Sequence, residues 1–393
     1  MEGKLKKIGI LAFVNKNAGG VYQYTQSLID ALAKDETNQY IVFVDSNSGN
    51  IQSYNLEVRK VNTSRPNAIV RVLKAIQLLL LLKTSFLEKV ERSKYEDIDL
   101  FICPRVIMYT QFFAIKPFIL TLHDLQEYYY PEFFSFLERI VRFVTTRFLS
   151  QKAEKIICES NYVKNDIKKF LKIPEEKIVV LPAPPPANFM NIQISIEQKL
   201  KVKRKYNLPD NYVFYPAAFW QHKNHIKLLE AFKILAKVHP DLYLVLSGSK
   251  QKSFSVVENK VSEFGLKDKV LFLGYIDYED MPYLYVSSKM LVMPSLFESI
   301  SIPIFEAFAL RVPVCASNIL ALPEQVGNAG LLFDPNNEKD IANKINFLLE
   351  DINLKYNLGM EGYYKIQKYS HKDHLVKLLK LIDSILISYN LLI

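Results

Sequence analysis

Short apolar runs alternate with longer amphipathic stretches along almost the whole chain. In the first half, runs such as KIGILAFV and PFILTL have the length of buried strands, and helical patterns separate them. The second half repeats this alternation with YVFYPAAF, LYLVLSGS and KVLFLGYI. Parallel strands that are buried on both faces and joined by crossover helices produce such a sequence. The pattern predicts an α/β fold of two tandem, Rossmann-like, doubly wound domains.

A proline-rich stretch, LPAPPPANFMNIQIS at 181–195, divides the chain. Proline stiffens the backbone and cannot continue the interior of a strand or helix. We predict an N-terminal domain at 1–188, a C-terminal domain at 189–372, and a final helix at 373–393 that is positioned to return to the first domain. The two sheets would face each other across a cleft between their carboxyl edges, where doubly wound folds bind ligands.

Composition and charge narrow the class of protein. Hydrophobic residues make up 49% and charged residues 23%, as in globular chains, and the net charge of +9 favours an anionic ligand or surface. The basic residues are dispersed and no recognition module is present, so we expect no nucleic-acid partner. Three cysteines lie far apart, which indicates a reducing compartment. The apolar start is short for a signal peptide and no run is long enough to span a bilayer, so we predict a cytoplasmic location.

A glycine pair follows the first predicted strand. Gly19 and Gly20 lie where a helix should begin, and glycine lets backbone N–H groups approach an anion there. The alternative is a plain strand-to-helix turn. A nicotinamide-dependent oxidoreductase would need G-x-G-x-x-G spacing, which is absent although Asp45 suits the acidic position. We therefore disfavour an oxidoreductase.

The loop after the first strand of the second domain carries QHKNH at 221–225. We expect Lys223 to project into the cleft, where its ammonium would neutralise phosphate charge, and Asn224 to cap the following helix. The alternative is a solvated lysine near a helix start. His222 and His225 have no acidic or thiol partner at ligand spacing, so no metal site is predicted.

The segment MPSLFESISIPIFEAF presents two carboxylates near a predicted helix start. Glu298 lies in the loop after a buried strand, and Glu306 lies in the first turns of a helix that Pro303 helps to begin. We expect both to accept hydrogen bonds from sugar or ribose hydroxyls, and the backbone N–H groups of 299–302 to remain free for phosphate. Stabilisation of the helix start through its dipole is the alternative, and it is more credible for Glu306 than for Glu298.

A histidine and an aspartate, His123 and Asp124, follow the apolar run PFILTL. A lone histidine is more often structural than functional. The place of His123 at a strand end, opposite the other motifs, favours contact with a sugar or an acceptor. We expect Asp124 to fix the loop. We expect the five aromatic residues within 128–134 to pack internally, with contact to an acceptor as the alternative.

Together these motifs resemble the family-four retaining glycosyltransferases of GT-B fold. That family carries a glycine pair in its first loop, a lysine after the first strand of its second domain, and an E-x7-E segment, which here runs from Glu298 to Glu306. The likeness covers nearly the whole chain and is strongest from Tyr212 to Asp334. It implies transfer of a sugar from a nucleotide diphosphate sugar to a glycan or lipid-linked acceptor in cell-surface polysaccharide or lipopolysaccharide synthesis, with retention at the anomeric carbon.

The resemblance also implies roles for single residues of the second domain. Glu306 would hold the ribose, and Glu298 would meet the transferred sugar. The diphosphate would bind Lys223 together with the backbone of Ser301 and Ile302. Catalytic roles would thus fall to Lys223 and Glu298 on this side of the cleft.

Further expectations concern the remaining loops. His123 would act in catalysis by facing the donor sugar from the first domain, and Gly19 and Gly20 would belong to the donor site. Ser299 and Ser301 stand where the family carries glycine. His222 stands where the family often has an arginine, and it would donate a hydrogen bond in the arginine's place.

The implied mechanism is front-face displacement, in which a phosphate oxygen of the donor helps to take the acceptor proton. No protein carboxylate nucleophile is evident, and the enzyme would orient the reactants and stabilise the departing diphosphate. On this account no metal or other cofactor is required. Asp97 and Asp99 do form a D-x-D pattern, but it precedes its strand, which indicates a solvated loop.

The acceptor side contains a helical pattern at 67–95 with a narrow basic face. Such a helix can lie on an anionic membrane surface, which would place the protein at the inner face of the membrane as a peripheral component. Packing of this helix on its own sheet is the alternative and the more common case.

A non-catalytic protein that binds a nucleotide sugar is the main alternative to an enzyme.

Overall fold

The computed structural model describes residues 5–15, 19–45, 48, 51–61, 94–107, 116–183, 187–190 and 192–390. The chain divides into two compact units, the first formed by Met1–Ala183 with His371–Ile393 and the second by Pro184–Ser370. The divisions predicted from the sequence lie at 188/189 and 372/373. Each unit is built on its own parallel sheet.

The sheet of the first unit has seven strands in the order β3-β2-β1-β4-β5-β6-β7, and all neighbours run parallel. Its strands are β1 Lys6–Leu11, β2 Asn38–Asp45, β3 Glu57–Val61, β4 Leu100–Cys103, β5 Phe118–Thr121, β6 Lys155–Cys158 and β7 Ile178–Val180. The prediction missed β3, whose sequence EVRKV is charged and largely solvent-facing because the strand lies at the sheet edge.

The sheet of the second unit has six parallel strands in the order β10-β9-β8-β11-β12-β13. Its strands are β8 Tyr212–Pro216, β9 Tyr243–Ser247, β10 Val270–Phe272, β11 Met290–Met293, β12 Val314–Ser317 and β13 Leu331–Phe333. The prediction missed β13, because a three-residue edge strand is too short to show a period. The two doubly wound sheets confirm the predicted α/β fold class.

Helices cover both faces of the two sheets. The α-helices among the described residues are α1 Gly20–Leu32, α2 Phe136–Lys152, α3 Asn161–Asp166, α4 Ala187–Met190, α5 Ile196–Lys205, α6 His225–Val238, α7 Phe254–Glu263, α8 Met281–Ser287, α9 Ile302–Ala309, α10 Leu322–Val326, α11 Glu338–Glu350, α12 Ile352–Ile366 and α13 His371–Asn390. Among the described helices, none combines the length and the apolar character that crossing a bilayer would require.

The last helix, α13, packs against the sheet of the first unit. Leu378 and Ile382 of α13 are fully buried in one apolar cluster with Ile8 and Ile10 of β1. The Nδ1 of His374 donates to the carbonyl oxygen of Pro182 at 3.0 Å, which ties the start of the helix to the segment after β7. The chain therefore leaves the first unit after β7 and completes its core with α13.

Candidate functional site

The strand order of the second unit reverses between β8 and β11. In doubly wound sheets such a reversal opens a crevice at the carboxyl ends of the strands, because the neighbouring connections leave toward opposite faces. The loop after β8 carries Lys223, and the loop after β11 carries Glu298. The two predicted residues thus come from the two loops that flank this point.

Lys223 and Glu298 form an ion pair. The Nζ of Lys223 lies 2.6 Å from the Oε1 of Glu298, and the carboxylate is nearly buried while the lysine side chain is partly exposed. Tyr215 on β8 donates its hydroxyl to the carbonyl oxygen of Lys223 at 2.8 Å, which fixes the backbone of the loop. A cation is therefore held at the strand ends, with its charge balanced by a carboxylate of the chain.

Asn224 does not cap helix α6, so that prediction was wrong. Its backbone lies in the left-handed region with φ of 57°, and no side-chain bond reaches the helix start. Asn224 instead donates from Nδ2 to the carbonyl oxygens of Pro294 and Pro335, each at 2.9 Å. Since asparagine tolerates this backbone conformation better than most residues, one side chain here links the loops after β8, β11 and β13.

The loop after β8 is also tied to the loop after β9. Ala217 donates its N–H to the carbonyl oxygen of Ser247 at 2.8 Å, and Phe219 donates to that of Ser249 at 3.1 Å. Gly248 lies between these acceptors with φ of 144°, and a Cβ there would come within 2.4 Å of the Ala217 carbonyl oxygen. Any side chain at this position would therefore push the loop that carries Lys223 out of place.

Glu306 lies in helix α9 and is buried. Tyr285 of α8 donates its hydroxyl to Glu306 Oε2 at 2.6 Å. Burial raises the pKa of Glu306 to about 7, and the bond from Tyr285 opposes that rise. Burial raises the pKa of Tyr285 as well, so its hydroxyl remains a donor. Tyr285 was not predicted, since it lies in a separate helix and its sequence context reads as ordinary core.

Ser301 and Ile302 form the start of helix α9, with Pro303 in its first turn. The predicted availability of the Ser301 N–H is wrong, because this group donates to Oε1 of Gln325 at 2.8 Å. In return, Nε2 of Gln325 donates to the Ser301 carbonyl oxygen at 2.7 Å. The buried Ser301 hydroxyl has no hydrogen-bond partner within the described part of the chain. Gln325 comes from α10, and nothing in the sequence distinguished it.

His222 precedes Lys223 and is partly buried. Burial, and then the charge of Lys223, lower the pKa of His222 to about 3. Its imidazole is therefore neutral near pH 7 and adds no charge to that of the lysine. The hydrogen bond predicted from His222 in place of the family's arginine stays a prediction.

In the first unit, His123 follows β5 and is held by both ring nitrogens. Its Nδ1 lies 2.8 Å from Oε2 of Glu159, which follows β6, and its Nε2 lies 2.8 Å from the carbonyl oxygen of Pro104, which follows β4. The ring of Tyr24 contacts it edge-on with centroids 4.8 Å apart. Because a carbonyl oxygen can only accept, Nε2 carries a proton.

The charge state of His123 follows from these partners. Burial lowers the pKa of His123, but the charge and hydrogen bond of Glu159 outweigh this, and the net shift is upward. Pro104 and Glu159 thus occupy both ring nitrogens, and the catalytic role predicted for His123 stays a prediction. Glu159 was not predicted, because the pairing joins the ends of two strands that lie 36 positions apart in the sequence.

Gly19 and Gly20 mark the start of helix α1 at the carboxyl end of β1. Gly19 is the N-terminal flanking residue of the helix and has φ of 58°, a conformation that favours glycine. Its carbonyl oxygen accepts the N–H groups of Tyr22 and Gln23. The strand order of the first sheet reverses between β1 and β4, so this helix start also flanks a reversal point.

Comparison with known families decides the relationship. Residues 197–364 match the family model described as Glycosyl transferases group 1, and residues 18–184 match the one described as Glycosyltransferase Family 4. The chain belongs to the family-four, group 1 glycosyltransferases. The resemblance deduced from the sequence motifs is therefore confirmed.

Curated relatives of this glycosyltransferase include two O-antigen enzymes. O-antigen chain mannosyltransferase B of Escherichia coli is 29% identical over 256 residues, which cover 64% of this chain and 66% of that protein. O-antigen chain mannosyltransferase RfbU of Salmonella typhimurium is 30% identical over 222 residues, which cover 56% of this chain and 57% of that protein. The match thus spans less than two thirds of each relative.

Solved structures extend the likeness to the whole fold. A sucrose-phosphate synthase from Thermosynechococcus elongatus superposes with a TM-score of 0.79 at 20% identity, covering 98% of this chain and 100% of that one. HepE of Anabaena, solved in complex with UDP-glucose, superposes with a TM-score of 0.76 at 19% identity, covering 96% and 99%. The glycosyltransferase therefore has the GT-B fold, as predicted.

The aromatic residues of this glycosyltransferase that follow His123 pack internally. Tyr128 stacks on Phe170 with centroids 4.4 Å apart, and Tyr130 stacks on Phe133 at 5.0 Å. Tyr129 donates its hydroxyl to Asp166 at 2.6 Å. These contacts agree with the packing that the sequence favoured.

The D-x-D pattern is structural in this glycosyltransferase. Asp97 pairs with Lys7 at 2.8 Å and with Arg59 at 2.7 Å, and Asp99 accepts the backbone N–H of Lys7 at 2.9 Å. Asp97 lies in an exposed turn, as expected, and its two ion pairs tie the segment before β4 to β1 and β3. The predicted membrane helix at 67–95 lies, from 67 to 93, outside the described residues.

Proposed function

We propose that this protein transfers a sugar from a nucleoside diphosphate sugar to a glycan or lipid-linked acceptor, with retention at the anomeric carbon. The observation that carries the proposal is the cluster at the reversal point of the second sheet, where Lys223, Glu298 and the start of helix α9 converge. A diphosphate needs a cation and oriented N–H groups, and a sugar needs carboxylate acceptors. The cluster supplies the cation and the carboxylates, and the start of helix α9 supplies its positive dipole, although the Ser301 N–H is bonded to Gln325.

The proposed reaction is a front-face displacement. The acceptor oxygen bonds to the anomeric carbon while the bond from that carbon to the phosphate oxygen breaks on the same face. The acceptor proton passes to the departing phosphate. Lys223 would stabilise the charge that develops on the diphosphate, and Glu306 would accept the ribose hydroxyls. Because Lys223 and the helix start supply positive charge, we propose that turnover needs no divalent cation.

We propose mannose as the transferred sugar and a surface glycan as the acceptor. Support comes from the two O-antigen mannosyltransferases, whose matches cover 64% and 56% of this chain. A glucosyl donor is the competing candidate, since HepE of the same fold was solved with UDP-glucose. The binding test must therefore vary the nucleotide base and the sugar of the donor separately.

The chain offers a single tryptophan as an internal probe. Trp220 is exposed and lies three positions before Lys223, so a ligand at the diphosphate site should change its fluorescence. We would titrate GDP, UDP, GDP-mannose and UDP-glucose in the presence of a chelator, and then measure transfer with the donor that binds best. One preferred donor, followed by turnover, would establish the function.

A matched pair of variants distinguishes loss of the cation at the proposed diphosphate site from loss of one positive charge elsewhere on the protein. Lys223→Ala should weaken binding of the diphosphate by at least about tenfold, because it removes the cation. Lys237→Ala changes an exposed lysine at the far end of helix α6, which follows the Lys223 loop, and should leave binding unchanged. Equal effects of the two variants would contradict the assigned site. Binding without turnover of any donor would favour the non-catalytic alternative.

A further inference from the structure

Helix α2 carries an exposed apolar stripe, formed by Phe136, Ile140 and Phe143. Their spacing of four and three positions places them on one face of the helix, with Leu137 beside them. These four side chains are between 38% and 72% exposed. Several large apolar side chains on one helix face form a patch, which usually marks an interaction surface.

The stripe borders a shallow groove of about 250 Å³. The groove is lined by Glu127, Tyr128, Phe136, Arg139, Ile140 and Phe143. This volume lies below the roughly 300–1,000 Å³ of typical small-molecule sites. The groove is thus smaller than a typical small-molecule site.

Positive charge lies beside the stripe. Helix α2 contains four basic residues and one acidic residue. Glu127 neutralises Arg142, whose Nη2 lies 2.8 Å from the carboxylate. Arg139 lines the groove, and Arg147 follows Phe143 by one turn on the same face. An apolar stripe with arginines at its margin is the arrangement of helices that lie in the plane of an anionic bilayer.

The start of the helix is fixed in place. Ser135 accepts the N–H of Glu138, and Glu138 reaches back to the N–H of Ser135 at 2.9 Å, which forms a capping box. The exposed end of α2, where Phe136 and Leu137 lie, is therefore ordered by its own sequence. An ordered apolar surface can bind without the entropic cost of folding first.

We propose that the exposed apolar stripe of α2 docks the protein on an anionic lipid surface. Phe136, Ile140 and Phe143 enter the interfacial layer, and Arg139 and Arg147 contact acidic headgroups. A second copy of the chain fits less well, because a two-fold interface through this stripe would bring the basic margins of the two copies together. The surface differs from the segment at 67–95, and the inference does not depend on the identity of the donor.

The test is co-sedimentation of the full chain with vesicles. We expect binding to vesicles of phosphatidylcholine mixed with phosphatidylglycerol, weaker binding to pure phosphatidylcholine, and loss at high salt. Phe136→Ser combined with Ile140→Ser should reduce partitioning by about tenfold or more. Arg139→Gln combined with Arg147→Gln should abolish the preference for the anionic vesicles while leaving residual binding.

Controls separate docking from folding. Phe136→Ser alone changes the most exposed of the three side chains, so it tests the stripe even if the double variant unfolds. The matched control is Phe347→Ser with Ile352→Ser, two exposed apolar residues of the second unit. Unchanged vesicle binding in folded stripe variants would overturn the proposal. Dissociation of a dimer by the stripe variants, without any vesicle binding, would overturn it in favour of a second copy.

Discussion

At the scale of single residues, the pairing of Lys223 with Glu298 sets a competition. The ammonium lies 2.6 Å from the carboxylate, so a diphosphate must draw Lys223 away from a charged partner of the same chain. Charge-assisted hydrogen bonds are about twice as strong as neutral ones. If the diphosphate binds at Lys223 as proposed, Glu298 should lower the affinity for a bare diphosphate and should favour binding only when a sugar is attached.

Glu298→Gln tests this competition. An amide holds Lys223 less firmly, so we expect the affinity for a free nucleoside diphosphate to rise a few-fold, while turnover falls by about tenfold or more because the sugar loses its carboxylate acceptor. Trp220 fluorescence and a transfer assay measure the two quantities. Glu230→Gln, which alters a lysine pair on helix α6, is the control and should change neither. A parallel loss of diphosphate affinity and turnover would refute the competition.

Glu306 predicts a pH dependence of donor binding. Burial raises the pKa of Glu306 to about 7, so its neutral form prevails below that pH and its carboxylate above. Ribose hydroxyls donate more strongly to a carboxylate than to a neutral acid. Affinity for a nucleotide sugar should therefore rise as the pH increases through about 7, and Glu306→Gln should flatten the profile. A nucleotide sugar is the right ligand because it lacks the terminal phosphate that titrates in this range.

The same shift has a consequence for stability with the opposite sign. The pKa of Glu306 in the fold lies above the ordinary carboxyl value of 4.5. The neutral acid is therefore favoured by folding, and its contribution is complete below pH 4.5 and is lost as the pH rises through about 7. The pKa values of His222 and His225 are lowered from 6.5 to about 3 in the fold, mainly by burial. Because these imidazoles would bind protons below pH 6.5 in the unfolded chain only, their contribution has the opposite sign and decreases stability as the pH falls from about 6.5.

The sequence predicted candidate site residues that follow strand ends, but it did not predict their hydrogen-bond partners from other elements. Lys223 and Glu298 could be singled out because a strand, a loop and a helix start lie together in the sequence. Tyr285, Gln325 and Glu159 could not, because each acts through a contact between separate elements. A glutamine in a short helix has the same local pattern whether it faces solvent or, like Gln325, bonds a remote backbone.

At the scale of elements, helix α10 holds the start of helix α9. Gln325 bonds both the N–H and the carbonyl oxygen of Ser301, so it fixes the backbone at the point where Ile302 begins the helix. It is a positioning residue, since it acts through Ser301. The geometry of the proposed phosphate site thus depends on a helix that lies outside the E-x7-E segment.

Gln325→Leu removes this link at nearly constant volume. Two buried backbone groups of Ser301 lose their partners, which should cost about 1–3 kcal/mol in the free energy of unfolding. Donor affinity should fall as well, because the start of α9 is no longer fixed. Urea unfolding and the Trp220 titration measure the two effects. Gln325→Glu should restore the bond from the Ser301 N–H and recover part of the donor affinity, which a purely structural defect would not predict.

At the scale of the whole molecule, the sequence predicted the fold class and the central strands, but it did not predict the strands at two sheet edges. Strands such as β4 and β11 are buried along their full length and appear as plain apolar runs. The edge strands β3 and β13 do not, since one is charged and the other has three residues. The proline-rich stretch drew attention to the passage between units, because proline interrupts regular structure in any context. The sequence predicted that the last helix returns to the first domain, as α13 does, but which of its residues are buried there is visible only in the packing.

Helix α13 makes the stability of the first unit depend on the last residues of the chain. Ile382 is fully buried in one apolar cluster with β1, whereas Ile387, five positions further along, is exposed. Ile382→Ala should destabilise the unit by about 2–5 kcal/mol, because it opens a cavity beneath the sheet. Ile387→Ala should stay within about 0.5 kcal/mol of the wild type, because it changes only the surface.

Calorimetry resolves this effect if the two units unfold separately. We expect Ile382→Ala to lower the unfolding temperature of the transition that belongs to the first unit and to leave the transition of the second unit in place. The donor affinity measured by Trp220 fluorescence should remain near that of the wild type, since Trp220 lies in the second unit. A single transition that Ile382→Ala shifts as a whole would show that the units unfold together, and α13 would then stabilise the whole chain through one cooperative step.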